Sequence, residues 1–432
     1  MQSRRTIHGL GSKLGLALSL ATLARSASAE PLNVEILPGT GYPSPKIRGI
    51  DGGSLGMTMH GYQFPYMGSE TSDAPMRTAI SGSVWDDTSY ARINSGTPDT
   101  YKSMKRWTNQ GRGVLRATPA YSTREGWFAQ GQVEFVANGD QTLPSSGNLG
   151  GIDDVFVRLG KWKFFDLTVG RFQGWEVYHY GMGLDLNTLE RRGAERPGQA
   201  QNPPQIYGLS YYWDRPDGGA GNYAAHAYIK EYLRVEVLGQ IGTQSGSNTR
   251  SLRPVVIFDL GYFKAKVGAE YGVAKSQVDG DPSRSKRTGM GGSLQFIFAP
   301  YVEGGINAAI GYTDVWNNKG LPEPRMSTTT WSTGGFVNGK IIRSWIVGAG
   351  VNYTHITDLD ENDVDGSPRF GFTNYSTHMQ TFGALQYMVW DRLSFKLVVS
   401  YAKFHFEDNR QDPPHPFDNT AWSSRLRMMY SF

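Results

Sequence analysis

The chain has 432 residues, with 43 Lys and Arg, 39 Asp and Glu, and no cysteine. The lack of cysteine excludes catalytic thiols, Cys-based zinc sites and iron–sulfur clusters, and leaves stability to burial or to a closed hydrogen-bonded ladder. Arg4, Arg5, Lys13 and Arg25 all fall within residues 1–29, which hold no acid, so the remainder is formally neutral and nucleic-acid binding driven by overall charge has no footing.

Residues 1–29 read as a secretory signal. A basic start precedes the apolar stretch Leu14 to Ala24, and Ala27-Ser28-Ala29 offers an A-x-A cleavage site before Glu30. The apolar stretch is too short for a membrane helix, and no later window approaches the ~18 apolar residues one requires. Residues 30–50, rich in Pro and Gly, read as an irregular lead-in, and 51–432 as one β domain.

The first strand candidate is Leu55 to Phe64. Residues 65–112 are polar and poorly periodic, which predicts a long loop with one short strand near Thr78 to Trp85. Val114 to Tyr121 and Trp127 to Val136 then pair across Ser122 to Gly126. In the second of these, Trp127, Ala129, Val133 and Phe135 face one way and Gln130, Gln132 and Glu134 the other. Asp153 to Gly160 and Phe164 to Arg171 follow, then, after an irregular stretch, Ile206 to Trp213, Tyr223 to Lys230 and Leu233 to Ile241. Phe263 to Val273 sets Phe263, Ala265, Val267, Ala269, Tyr271 and Val273 against Lys264, Lys266 and Glu270. Lysines do not face a packed core cheaply, but they can face a water-filled lumen.

Further strands are predicted at Pro254 to Leu260, Gly289 to Phe298, Tyr301 to Tyr312, Thr330 to Asn338, Ile341 to Thr354, Thr377 to Met388 and Leu393 to Phe406. Short turns at Lys161 to Lys163, Gly261-Tyr262, Ala299-Pro300, Gly339-Lys340 and Trp390 to Arg392 alternate with long polar loops at 242–252, 274–288, 313–329, 355–376 and 407–420. The closing strand puts Trp422, Leu426, Met428, Tyr430 and Phe432 on one face and Ser423, Arg425, Arg427 and Ser431 on the other; Ser424 and Met429 break the pattern. Apolar and wet faces, aromatics at both ends, and one rim of short turns opposite one of long loops predict an all-β fold: a closed antiparallel transmembrane β-barrel. Strand direction then demands a further strand, near Glu176 to Leu184, and a total of 16–18, enough for an aqueous channel. The composition and the closing strand taken alone also suit a secreted β-sandwich.

Phe172 to Gln205 carries more mixed charge and aromatics than a turn needs. One reading folds part of the 172–205 loop into the lumen as a pore constriction, with Arg171, Trp175, Glu176, Tyr178, Tyr180, Asp185, Glu190, Arg191 and Arg192 lining it; the other leaves it outside, against neighbouring loops or subunits. Arg171 shares the parity of Leu167 and Val169, which counts against a lumen position. Glu134, Lys264, Lys266, Glu270, Arg425 and Arg427 are the expected lumen charges. Asp358, Asp360, Asp363 and Asp365 are candidate calcium ligands, yet Asp363 stands where an EF-type loop needs Gly, and a solvated loop explains the run as well. The basic run Arg284, Lys286, Arg287 reads as an exposed loop or a lipopolysaccharide contact. Gly334 to Lys340 has P-loop spacing, but Ile341 replaces the Ser or Thr that would hold magnesium. No cofactor is expected.

Several stretches resemble known families. A C-terminal strand ending in Phe432 resembles the closing strand of bacterial outer-membrane barrels, in which the terminal aromatic is read by the barrel-assembly machinery. Val169-Gly170-Arg171-Phe172, Glu176 and Leu189-Glu190-Arg191 resemble the strand-and-loop signature of phosphate-selective porins. His60-Gly61-Tyr62, Tyr211-Tyr212-Trp213-Asp214 with Gly219-Ala220-Gly221, and Tyr401-Ala402-Lys403 resemble stretches of maltoporin-type sugar channels. These resemblances imply a Gram-negative outer-membrane porin passing small hydrophilic solutes (ions, phosphate or sugars) without covalent chemistry, in contact with outer-membrane lipid and lipopolysaccharide, and a homotrimer. The rival classes are a surface-binding barrel without an open pore and an outer-membrane hydrolase, for which His355 and His405 lie near a rim without an evident partner.

Overall fold

The computed structural model describes residues 76–94, 104–123, 125–138, 150–175, 177, 219–229, 232–244, 247–260, 262–278, 284–298, 302–316, 325–342, 344–357, 374–390, 392–408 and 415–432. They form β1 (Met76–Asn94), β2 (Met104–Ser122), β3 (Trp127–Asn138), β4 (Gly150–Lys161), β5 (Phe165–Arg171), β6 (Gly221–Ile229), β7 (Leu233–Gln244) and β8 (Ser247–Asp259), then β9 (Phe263–Ser276), β10 (Arg284–Phe298), β11 (Val302–Trp316), β12 (Arg325–Ile342), β13 (Trp345–Thr357), β14 (Asn374–Trp390), β15 (Leu393–Asp408) and β16 (His415–Ser431). Each strand pairs antiparallel with its sequence neighbours, and β1 pairs with β16, so the sheet closes into a 16-strand barrel without edges.

Side-chain alternation explains why the sheet closes as it does. Along β9, Val267 and Tyr271 are exposed while Lys266 and Glu270 are buried; along β16, Trp422, Leu426 and Met428 are exposed while Ser423, Arg425 and Arg427 are buried. The outer face is therefore apolar and the inner face polar, the reverse of a water-soluble sandwich. Aromatics ring the outer face at two heights. Near the short turns, Tyr232, Phe258, Phe263 and Phe296 form a chain of ring contacts at 5.2–6.4 Å, and Trp345 meets Tyr387 at 4.7 Å. Toward the other rim, Tyr90 meets Trp107 at 4.8 Å, Tyr401 meets Trp422 at 4.7 Å and Trp331 meets Tyr353 at 5.2 Å.

The structure corrects several expected boundaries. Within 65–112, residues 76–94 and 104–112 are strand rather than loop: β1 and β2 are each 19 residues long and pair from Met76↔Tyr121 to Ile93↔Met104, while 65–75 and 95–103 lie outside the described residues. Residues 242–244 and 247–252, expected in a loop, are strand, and Gln244 pairs directly with Ser247. Gly339 and Lys340, expected in a turn, are strand: β12 runs on to Ile342, which pairs with Trp345 after a register shift between Lys340 and Ile342. The basic run at 284–287 is strand, not loop. β5 pairs directly with β6; Val177 is not strand, and the rest of the strands expected at Glu176 to Leu184 and Ile206 to Trp213 lies outside the described residues. Residues 1–75, including the signal, the lead-in and Leu55 to Phe64, lie outside the described residues, as does the acidic run 358–365.

On the inner wall, one ladder row runs Gly305, Phe336, Gly350, Phe382, Ser400 across β11 to β15. A Cβ on Gly305 would meet the Phe336 ring, and one on Gly350 would meet the Phe382 ring, so each ring lies over the glycine of the strand before it.

Candidate functional site: the inner wall and the segment held against it

β5 and β6, at 7 and 9 residues, are the shortest strands, and the chain leaves the sheet after Arg171. Gly170 has φ 141°, a conformation closed to most other residues, and its Cα faces Phe156 so closely that a Cβ would strike the neighbouring backbone. Beyond it, Phe172, Gln173, Gly174, Trp175 and Val177 are buried against the inner wall. Asn222 donates to the Phe172 carbonyl at 2.6 Å, the Trp175 amide donates to Glu236 Oε1 at 2.8 Å, and the Ser293 hydroxyl donates to the Val177 carbonyl at 2.7 Å. These contacts carry the segment past β6 and β7 to β10. Gly174 has no room for a Cβ beside the Leu238 side chain, and Val177 packs with Trp175, Val255, Ile257 and Ala309.

The anchor is one ladder row, Asp166↔His226↔Glu236. His226 Nδ1 lies 2.6 Å from Asp166 Oδ1 and Nε2 lies 3.0 Å from Glu236 Oε2. An imidazolium donates to both carboxylates; a neutral ring could donate to one alone. Tyr228 donates to Asp166 Oδ2 at 2.6 Å, Arg158 lies 3.6 Å from Asp166, and Arg253 lies 3.6 Å from Glu236. The Trp175 ring stacks on the His226 ring at 4.9 Å and 22°. A buried charge network of this kind is destabilised strongly when one member is removed.

A second network crosses the closure seam. Asp87 accepts from Arg427 Nε at 2.7 Å and Nη2 at 2.8 Å, and from Arg425 Nη1 at 3.4 Å, while the Arg427 guanidinium sits 4.2 Å from the Trp85 ring centroid. Elsewhere on the inner face, Arg116 pairs with Glu134, Arg287 Nε donates to Glu270 at 2.9 Å, and Lys264 lies 3.3 Å from Asp259. Lys266 is buried on the same face.

The candidate residues thus separate into groups. Glu134, Lys266, Glu270, Arg425 and Arg427 are buried and Lys264 half-buried, all on the polar face. Trp422, Leu426 and Met428 are exposed on the apolar face, with Tyr430 and Phe432 half-exposed at its end. Trp175 is buried against the wall, whereas Arg171 is half-buried with the parity of the exposed Val169. Glu176, Tyr178, Tyr180, Asp185, Glu190, Arg191 and Arg192 lie outside the described residues, as do Asp358, Asp360, Asp363 and Asp365. His405, expected to lack a partner, has one: its Nδ1 lies 2.8 Å from Asp418 Oδ1, and Lys403 holds the other carboxylate oxygen at 2.8 Å. That trio is exposed on the outer face, away from the inner wall. Among the described residues no group of three His, Asp or Glu side chains is arranged to hold a metal ion.

No family model and no curated protein sequence matches the chain. Solved structures do match in fold. The outer membrane channel DcaP of Acinetobacter baumannii has TM-score 0.53 at 12% identity, covering 84% of this chain and 99% of its own. The anion-selective porin from Comamonas acidovorans has TM-score 0.53 at 13% identity, covering 83% and 100%. In-vitro folded OmpT of Vibrio cholerae, in trimer form, has TM-score 0.50 at 12% identity, covering 83% and 100%. The chain has the 16-strand barrel fold of these porins and channels, and the likeness extends over nearly their whole length.

Proposed function

We propose that the chain is a porin of a Gram-negative outer membrane, passing small hydrophilic solutes by diffusion. The observation that carries the reading is the inverted polarity of the closed barrel: Arg158, Glu236 and Arg427 are buried on its inner face while Leu167, Val267 and Leu426 are exposed on its outer face. An apolar belt between two aromatic girdles suits a bilayer, and a charged inner wall suits water. The long-loop rim faces outward from the cell and the short-turn rim faces the periplasm. The segment from Phe172 to Val177 narrows the lumen, held by His226 and Glu236.

The preferred solutes are anions. Among the described residues, basic side chains outnumber acidic ones on the inner face: Asp87, Glu134, Asp166, Glu236, Asp259 and Glu270 each face an arginine or lysine, and Arg112, Lys266, Lys340 and Lys396 stand on the same face as Asp154 and Glu303, which accept from the amides of Gln132, Gln295 and Asn338. The similarity to an anion-selective porin agrees with this surplus, and the trimeric OmpT match supports a homotrimer. Reversal potentials of purified protein in planar bilayers under a potassium chloride gradient test both parts. Single-channel steps with a potential on the chloride side are expected; no steps removes the porin, and a potential on the potassium side removes the anion preference. The surface-binding and hydrolase alternatives predict no steps, the latter with lipid or peptide cleavage instead.

A further inference from the structure

We propose that the outer face of β8 to β10, just above Tyr271, binds a phosphorylated lipid of the outer leaflet through Arg250, Lys275, Arg284 and Lys286. The inference rests on the outer-membrane reading and on strand register. Alternation splits the basic run of β10: Arg287 points inward to Glu270, while Arg284 and Lys286 share the parity of the exposed Met290 and Phe296. Arg250 and Lys275 lie on the exposed parity of their own strands, with Leu252 and Tyr271. The ladder gathers them in two adjacent rows, Arg250↔Val273↔Lys286 and Asn248↔Lys275↔Arg284. Three strands ~4.8 Å apart and two rows ~7 Å apart make a patch about 10 Å by 7 Å, the scale of a headgroup with two phosphates.

Its height fits. From Phe263 in the lower girdle to Val273 is ten steps along β9; at ~3.3 Å each and a tilt of ~40° they rise about 25 Å, the full apolar belt. The cations therefore emerge at the headgroup level, where Lys and Arg reach out from apolar surface. Lys286 Nζ stands 5.8 Å from the Tyr271 ring centroid, which orients it over the girdle. Like charges in neighbouring ladder positions repel, and among the described residues the acid facing the patch on the next strand is Asp314, opposite Lys286. The surplus is met by an anion anchored in lipid, whose acyl chains lie along Leu252, Val256, Val267 and Met290, all exposed below the patch.

The test measures binding of full-length protein in zwitterionic detergent to bisphosphorylated lipid A, to its dephosphorylated form and to inorganic phosphate, by native mass spectrometry. The variant R250Q/K275Q/K286Q is compared with a charge-matched control at the opposite rim, K161Q/K163Q/R392Q. The patch variant should weaken bisphosphorylated lipid at least about tenfold, each surface cation contributing to anionic-lipid attraction, while the control retains parental binding. Equal losses in the two variants, equal affinity for the dephosphorylated lipid, or displacement by inorganic phosphate at matched concentration would each overturn the proposal. If the triple variant does not fold, R250Q and K275Q singly should each weaken binding, and parental affinity in both overturns it. Conductance is read separately: lipid binding without channel steps removes the porin and leaves this site standing.

Discussion

Replacing Asp87 by Ala tests whether the barrel is locked at its seam by charge or by backbone pairing alone. Asp87 is fully buried and accepts from Arg427 Nε at 2.7 Å and Nη2 at 2.8 Å, with Arg425 at 3.4 Å. Removing the carboxylate leaves two guanidinium groups buried among one another, and breaking a buried pair from one side costs about 3–5 kcal/mol. Asp87→Asn keeps the shape and one acceptor, and should cost about 1.5–3 kcal/mol, the worth of a hydrogen bond to a charged group. Both values are read from urea unfolding in lipid vesicles, followed by tryptophan fluorescence, with heat-dependent gel mobility as an independent measure of the closed barrel. Adding Arg427→Met to Asp87→Ala should recover part of the loss, since an apolar side chain tolerates the site better than an orphaned cation. A cost for Asp87→Ala within ~1 kcal/mol, the level of an exposed ion pair, would refute the reasoning, because the seam would then be wet and the charges dispensable.

Other outcomes follow from the same geometry. His226→Ala leaves Asp166 and Glu236 facing each other across an empty row and strips the stacking partner from Trp175; single-channel conductance should rise and become noisier, and an unchanged trace would mean that the segment from Phe172 to Val177 does not narrow the path. Gly82→Ala places a methyl against the Val114 carbonyl and the Phe432 ring, beside the paired bonds Gly82 N–H to Phe432 O and Phe432 N–H to Gly82 O at 3.0 Å, so the fraction that reaches the heat-stable folded form should fall. At the outer rim, beyond the girdle of Tyr401 and Trp422, the Lys403 ammonium holds the Asp418 carboxyl below its ordinary value, with His405 assisting. That contact is present above the ordinary carboxylate range and is lost as pH falls through the lowered value; Lys403→Ala should move the Asp418 titration upward in a carbon-detected NMR experiment.

Alternation made β9 and β16 legible because each strand divides its polar and apolar residues almost completely between faces. β1 was legible only in its first half, near Thr78 to Trp85: Ser81, Ser83, Asp87 and Ser89 point inward, but Asp86 and Thr88 point outward, so no periodic signal separates the faces beyond Trp85 and that half reads as loop. The first half of β8 fails for the same reason, with Asn248, Thr249 and Arg250 in succession. The inner anchor was hidden by distance. Asp166 and His226 are 60 residues apart, and only the ladder register brings them together. The signal available in advance was a charged or imidazole residue on the wet parity of a short strand, which marks a wall position without naming its partner. Gly174 carried no sequence pattern, and Gly170 only its place in a family-like stretch that says nothing of its conformation, since their role is to clear space for a neighbour.

The rings of Phe336 and Phe382, each roofing a glycine on the preceding strand, make position pairs rather than single positions the units of change. A relative that fills Gly305 or Gly350 with a larger residue must shrink or turn the ring beside it, so substitutions at 305 and 336, and at 350 and 382, should travel together as such barrels diverge.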